Sequence, residues 1–545
     1  MSSNTKGKRI ALVTGAASGL GASFAKRLGA EGFDLILVDR QADRVKECAE
    51  ELAHRFGVRT HVVVQDLTAP GAGANIRAQC DSLGLSVDLL VNNAGYHLNK
   101  FLHELPWPVI EANLQLLLNV VVEMTHAFLP GMIQRGWGRV INVASVSGFM
   151  PGGIRLATYN ATKTFLIPFS EALDFELGGT GVRVTAVCPG FMRTDLFVNS
   201  GLTDVRDSVP GFMWLEPDQV AAGAYRAAMQ GRPIYIPGLI NRLIVTAAKL
   251  APRRLLRERS RMFHRSAHRT LASAAPSTAG KAGRRRVALV TGASAGIGAS
   301  FCEVLAREGF DVVLVARREE VLRHRAAELA RRHGVETHVI VQDLTVPSAV
   351  EAIWASCQAK GWTVDILVNN AGYPVTELFH RMSWAEVDAA LQIYVRSVVQ
   401  LTHAVVPGMI ERGWGRIINI ASMAAFEPGS YRSSLYSSSK AFLVGFSESI
   451  AAELAGTGVA ATAVCPGFTK TEWTAKNRLD NASVPGWLWM ESDRVAEAGY
   501  GATMRGVTVK VVGTLPLRII STLFQVAPRR LVGAVLSRKR RGMAA

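Results

Sequence analysis

A tyrosine with a lysine four residues further on forms an acid–base pair when both lie on a helix. The two side chains share a face, and an ammonium beside a phenol favours the phenolate, drawing it down from an ordinary pKa of about 10. Nine tyrosines and fourteen lysines in 545 residues give about 0.2 such pairs by chance, yet three occur: Tyr96/Lys100, Tyr159/Lys163 and Tyr436/Lys440. The first has no counterpart 277 residues on, where Tyr373 is followed at that distance by Glu377, and reads as an accident. The other two stand 277 residues apart. One match alone would be an ordinary surface pair; repetition in the same surroundings argues for chemistry.

A second pattern suits a phosphate. Thr14-Gly15-Ala16-Ala17-Ser18-Gly19-Leu20-Gly21 follows an apolar run and opens a helical one, and Thr291 to Gly298 repeats it with Gly292, Ala295, Gly296, Ile297 and Gly298. Missing side chains let backbone approach a pyrophosphate, and the following helix aims its first N–H groups and positive dipole end at it. The spacing is GxxxGxG rather than GxGxxG, and tight turns without ligands use glycine too. Its place between strand and helix, twice, is what points to a nucleotide.

These motifs need elements to hold them, and the elements come in two sets. VALVTGASAGIGASF (Val287 to Phe301) repeats IALVTGAASGLGASF (Ile10 to Phe24), and the offset of 277 holds for Gly95/Gly372, Ser145/Ser422 and Pro189/Pro466. A period this long is duplication of a whole domain, not a solenoid. The copies are residues 1–255 and 284–545, joined over 256–283 by a segment that is basic and then Ala/Ser/Pro-rich. Within each, short runs that are apolar throughout alternate with helical stretches, which predicts α/β architecture: two doubly wound parallel-sheet domains in tandem.

Composition narrows the classes. At 49% hydrophobic and 19% charged the chain is too apolar for disorder. No run of about 20 uncharged apolar residues predicts a spanning helix, and the polar start, Met1 to Lys8, does not resemble a signal peptide. Six cysteines without CxxC predict neither a disulfide scaffold nor a metal site, and a reducing, cytoplasmic setting is expected. The net charge of +17 looks like a nucleic-acid signal until it is located. Arg253 to Arg286 holds eleven Lys/Arg against Glu258 alone, and Arg529 to Arg541 holds six with no acid. Each copy is otherwise near neutral, so no nucleic-acid partner is expected.

Taken together, both copies resemble the short-chain dehydrogenase/reductase family along essentially their whole length. The resemblance rests on TGxxxGxG, an Asp after the third strand (Asp66-Leu67, Asp343-Leu344), NNAG (ending Asn93-Ala94-Gly95 and Asn370-Ala371-Gly372), a Ser before YxxxK, and a PG turn (Pro189-Gly190, Pro466-Gly467) followed by Met192 or Thr469. It implies that Tyr159 and Tyr436 exchange a proton with the substrate oxygen. Lys163 and Lys440 would lower the Tyr pKa and bind the nicotinamide ribose, Ser145 and Ser422 would hydrogen-bond a carbonyl, and hydride would pass to or from a nicotinamide with no metal. Two departures stand out. The family's usual Asn on the fourth helix is Leu117 in copy one, where Asn113 one turn earlier offers a stand-in, and Tyr394 in copy two. The Ser-to-Tyr interval is 14 residues in both copies, one more than expected.

The end of the second strand should choose the cofactor. Asp39-Arg40 offers a carboxylate to ribose hydroxyls and predicts NAD for copy one, whereas Ala316 followed by Arg317 and Arg318 suits a 2′-phosphate and predicts NADP for copy two. Aromatic and Met residues after PG (Phe191, Met192, Phe197, Phe212, Met213, Trp214; Phe468, Trp473, Trp487, Trp489) suit a fairly apolar small-molecule substrate, 3-oxoacyl or steroid-like, and core packing accounts for them equally. The closing helix with its basic C-terminal segment suits peripheral contact with an anionic membrane, and a helix packed on its own domain explains it as well. By resemblance, the copies would form an internal pseudo-dimer or a homo-oligomer. The alternative of another class is one catalytic copy with the other a cofactor-binding scaffold.

Overall fold

A computed structural model describes residues 8–194, 209–251, 285–373, 375–429, 431–472 and 485–527, with residues 253, 256, 474, 529, 532 and 533. The expected linker lies outside these except for Leu256, as do Phe197, Trp473 and most of the basic tail.

Strands that are buried on both faces dictate the architecture. Copy one contributes β1 (Ile10–Thr14), β2 (Asp34–Asp39), β3 (Thr60–Val64), β4 (Val87–Asn92), β5 (Gly138–Val143), β6 (Val182–Val187) and β7 (Ile234–Tyr235). Their order is β3-β2-β1-β4-β5-β6-β7, every pair parallel. Copy two repeats it with β8 (Val287–Thr291), β9 (Asp311–Ala316), β10 (Thr337–Val341), β11 (Val364–Asn369), β12 (Gly415–Ile420), β13 (Val459–Pro466) and, after the short β14 (Thr469–Lys470) and β15 (Met490–Glu491), β16 (Val509–Val512). The expected pair of doubly wound domains is therefore present. In each, strand order reverses between the first and fourth strands, and the crevice above their carboxyl ends is where such sheets bind ligands.

Helices α1 (Gly19–Ala30), α2 (Ala42–Phe56), α3 (Ala72–Ser82), α4 (Trp107–Leu114), α5 (Val120–Gln134) and α6 (Ala157–Glu176) cover the first sheet. A π turn, Gln115–Asn119, joins α4 to α5, and Gln392–Arg396 does the same in copy two. The resulting helix, Trp107–Gln134, is long and apolar enough to cross a membrane, which the sequence reading had not expected. Most of its apolar stretch is buried inside the domain, so core packing accounts for it.

A buried polar chain fixes α6 against the sheet. Asn92 Nδ2 donates to Asn142 Oδ1 at 2.9 Å, and Asn142 Nδ2 to Ser170 Oγ at 3.0 Å; Asn369, Asn419 and Ser447 repeat this at 2.8 Å and 2.8 Å. Away from the sheet, α6 packs on its counterpart, the helix Ser434–Glu453, in the most extensive helix–helix contact of the molecule. Glycines in the loop before each helix let that loop sit against the other helix. A Cβ on Gly152 would lie 2.2 Å from Ser449 N, and one on Gly429 would lie 2.1 Å from Ala172 N. Buried carboxylates end the contact symmetrically: Glu176 accepts from the backbone of Phe379 (3.0 Å), Ser433 and Ser434 (both 3.2 Å), and Glu453 accepts from Leu102 N (2.9 Å). Arg529 pairs with Glu171 and Arg253 with Glu448, each at 2.6 Å.

Candidate active site

The glycine turn closes on the loop after β4. Gly15 and Gly19 adopt φ of +66° and +53°, and a Cβ on Gly21 would lie 1.8 Å from the Gly15 carbonyl oxygen, so turn and helix meet only as glycines. Thr14 Oγ1 accepts from the backbone N–H of Asn93 (2.9 Å) and Ala94 (3.2 Å), and Asn93 Nδ2 donates to Thr14 O (3.0 Å). Copy two matches this: Gly292 and Gly296 have φ of +66° and +52°, a Cβ on Gly298 would lie 2.3 Å from Gly292 O, and Thr291 Oγ1 accepts from Asn370 (2.9 Å) and Ala371 (3.1 Å). Ser18 and Ala295 hold the N-cap positions without a side-chain cap. The first helical N–H groups thus face a backbone-lined cradle that suits a pyrophosphate.

Asp39 ends β2 buried, its carboxylate accepting from Ala17 N and Gln41 N, both at 3.0 Å. Ala316 takes this place in copy two. There Arg318 donates through Nε and Nη2 to Ser294 Oγ (3.2 and 3.0 Å) and pairs with Glu472 (2.9 Å), while Arg317 reaches Asp343 at 3.5 Å. Arg40 is exposed. Bonds from Thr68 N (2.9 Å) and Oγ1 (2.8 Å) hold the Asp66 carboxyl below its usual range. Burial opposes the same effect at Asp343, yet Thr345 and Arg317 hold it low. The backbone donors and the Asp66 or Asp343 carboxylate fit a dinucleotide in both copies, while the end of the second strand carries Asp39 in the first and two ion-paired arginines in the second.

The tyrosine and lysine come together as their spacing predicts. Lys163 is buried, donates to Val143 O at 2.7 Å, and stands 5.5 Å from the Tyr159 ring centre; Lys440 donates to Ile420 O at 2.8 Å, 5.7 Å from the Tyr436 ring. Burial draws the lysines down to about 8 and about 7. It also raises Tyr159, with the bond from Ser145 as the opposing influence. In the protein without cofactor, burial therefore acts against the lowering that the lysine's place on the helix leads one to expect. Ser145 and Ser422 each cap a short turn, accepting from Ser147 N and Ala424 N at 3.1 Å.

The PG turn brings in two outer helices, Leu239–Leu250 and Leu515–Val526. Pro189 O accepts from Val146 N (3.0 Å), and a Cβ on Gly190 would lie 2.4 Å from Asn241 Oδ1. A Cβ on Gly467, after Pro466, would lie 2.8 Å from Leu517 Cδ1. Met192 bridges to Leu215, and Thr469 Oγ1 donates to Gly467 O at 3.1 Å.

The family model described as short chain dehydrogenase matches this chain twice, over residues 9–204 and 286–482. The chain belongs to the short-chain dehydrogenase family. It is an NAD(P)-dependent oxidoreductase acting between CH–OH and C=O groups. It is 36% identical over 188 residues to a 3-oxoacyl-[acyl-carrier-protein] reductase of Aquifex aeolicus, a match spanning 34% of this chain and 75% of that one. It is 33% identical over 190 residues to the very-long-chain 3-oxoacyl-CoA reductase of Bos taurus, spanning 34% of this chain and 60% of that one. Among solved structures, it matches a short-chain dehydrogenase from Sphingobium yanoikuyae in complex with NADPH at 30% identity and a TM-score of 0.39, covering 42% of this chain and 88% of that one.

This short-chain dehydrogenase fills the usual Asn position differently in its two copies. Leu117 lies in the first π turn, within reach of a Cβ on Gly95. Asn113 is buried and already engaged, donating to Tyr96 O (3.3 Å) and accepting from Thr158 Oγ1 (2.8 Å), so the stand-in expected from sequence is tied into the fold. In the second π turn Tyr394 is buried, its hydroxyl donating to Tyr373 O and accepting from Tyr373 N at 3.0 Å, with Lys440 4.7 Å from its ring centre. His97 was missed in the sequence: it packs edge-on to Tyr159 at 5.3 Å, and burial pushes its imidazole down to about 4. No spacing rule links the two, and Pro374 stands in its place in copy two. The side chains of Leu20, Leu67 and Leu344 lie in the core, leaving their backbone to face a ligand; Ile297 is half-buried.

Proposed function

We propose that both copies are active and that each moves hydride between a nicotinamide and the carbonyl carbon of a fairly apolar small molecule. The observation that carries this is the duplicated buried set, with each lysine on a strand-end carbonyl and about the same distance from its tyrosine ring. When bound, the nicotinamide supplies or takes the hydride. The protein's own groups handle the proton: Tyr159 or Tyr436 donates its phenolic proton to the carbonyl oxygen in reduction and takes it back in oxidation. Ser145 or Ser422 orients that oxygen, and Lys163 or Lys440 stabilises the phenolate and holds the ribose.

Copy one is read as NAD-preferring, because the Asp39 carboxylate would accept from ribose hydroxyls and repel a 2′-phosphate. Copy two is read as NADP-preferring through Arg317 and Arg318. The apolar segment after PG and the two 3-oxoacyl reductases among the relatives support a 3-oxoacyl or similar substrate. The symmetric contact of α6 with Ser434–Glu453 supports an internal pseudo-dimer. A cytoplasmic location with peripheral membrane contact completes the reading. The test is reduction of a panel of 3-oxoacyl thioesters and steroids with NADH and NADPH. Activity that survives intact in the Tyr159→Phe/Tyr436→Phe double variant would overturn the assignment.

A further inference from the structure

The helices Leu239–Leu250 and Leu515–Val526 are amphipathic with the wrong face outward for helices that merely close a domain. Each buries a narrow side: Asn241, Val245 and Ala248 in the first, Leu517 and Ser521 in the second. The other side displays large apolar residues at helical spacing. Leu239, Leu243 and Leu250 form one stripe, Leu515, Ile519 and Leu523 the other, with Leu239 69%, Leu243 60%, Leu515 67% and Ile519 53% exposed. The two helices touch each other, so the stripes lie on neighbouring helices. Arg242 and Arg518, at equivalent positions, are exposed beside them. The cluster is larger than scattered surface leucines and needs a partner.

Charge identifies that partner. Arg253 and Arg529 are held by Glu448 and Glu171, but beyond them the chain carries eight more Lys/Arg against one acid (Arg254 to Arg284), and five more against none (Arg530 to Arg541). A second copy of a chain of net charge +17 would bring like charge against like at this face, which disfavours self-association. An anionic bilayer satisfies both features: apolar side chains enter the acyl boundary while arginines and lysines meet headgroup phosphates.

The same helices also border the sites. Leu239–Leu250 packs on the Val146–Phe149 turn after Ser145, and Leu515–Val526 on the Met423–Phe426 turn after Ser422. Phe212 and Trp487, in matching segments before these helices, are exposed as well.

We propose that the paired helices Leu239–Leu250 and Leu515–Val526 form a docking face for an anionic lipid bilayer, setting both active sites beside the membrane so that an apolar substrate can pass from it. This deepens the peripheral-membrane reading above, but moves the contact from the basic tail to the helices; it does not depend on which substrate is turned over. The test is flotation of the full-length protein with vesicles of phosphatidylcholine alone or with roughly one third phosphatidylglycerol. Three proteins are compared: wild type, Leu243→Asp/Ile519→Asp/Leu523→Asp, and a truncation before Arg538. Wild type should bind the anionic vesicles and not the neutral ones. The triple variant should lose binding by roughly tenfold or more, with thermal unfolding and cofactor binding unchanged because those side chains point outward. The truncation should lose less. Equal binding by wild type and triple variant, binding removed only by the truncation, no binding by wild type, or a wild-type dimer that the triple variant converts to monomer would each overturn the proposal.

Discussion

Glu176 and Glu453 make the fold's stability depend on pH in a direction the structure fixes. Both are fully buried where the copies meet, and burial raises their carboxyls to about 7 and about 8, against bonds from the backbone of Phe379, Ser433 and Ser434 in one case and of Leu102, Ala157 and Arg155 in the other. An exposed glutamate titrates near 4.3. Between these values the folded chain holds protons that the unfolded chain has lost. Stability from these groups is therefore complete below the ordinary carboxylate value and falls as pH rises through about 7 to about 8. The loss is on the order of 3 to 5 kcal/mol per carboxyl at most. Lys163, Lys249 and Lys440, drawn down to about 8, about 8 and about 7, act in the opposite sense, because folding then favours their neutral forms as pH rises. The wild-type slope alone is thus a poor readout. Denaturant unfolding of wild type and Glu176→Gln/Glu453→Gln, from about pH 5 to about pH 9, isolates the carboxyls. Relative to the double variant, wild type should lose several kcal/mol across that range. Parallel curves would refute the reasoning.

Other expectations follow from the same geometry. Gly152→Val and Gly429→Val each place a Cβ within about 2.2 Å of the facing helix backbone, and each should destabilise the protein by about 3 kcal/mol or more in thermal unfolding. In the Tyr436→Phe background, Asp39→Ala should weaken NAD binding roughly tenfold while relaxing discrimination against NADP, since the lost group both attracts ribose hydroxyls and repels phosphate. In the Tyr159→Phe background, Arg318→Ala should raise KM for NADP roughly tenfold and leave NAD nearly unchanged. Tyr394→Leu removes the hydroxyl held by the Tyr373 backbone. It should lower stability by about 1 to 3 kcal/mol and change the pH profile of copy two more than its KM for cofactor.

Legibility followed sequence distance. The glycine turn and the Tyr/Lys pair are local patterns whose spacing maps directly onto a turn or a helix face, so the residues alone located them. Repetition at 277 residues then separated Tyr159/Lys163 from the accidental Tyr96/Lys100. What the residues could not convey were long-range pairings. Glu171 with Arg529 and Glu448 with Arg253 join positions that no periodicity connects, and each glutamate looked like any polar residue on a helix. His97, in the loop after β4, meets Tyr159 in the first turn of α6 only in space. The raised Tyr159 escaped for a different reason: spacing predicts a neighbouring charge but not the burial that acts against the phenolate.

The central claim, two working copies each with its own proton-handling tyrosine, is tested most directly by turnover of the full-length protein as wild type, Tyr159→Phe, Tyr436→Phe and the double variant. The measurement uses one shared substrate with NADH and with NADPH. Each single variant should lose part of the activity, Tyr159→Phe mainly with NADH and Tyr436→Phe mainly with NADPH, and the double variant should retain less than roughly one hundredth. If either single variant matched wild type under every condition while the other abolished turnover, only one copy would be catalytic and the account would be wrong.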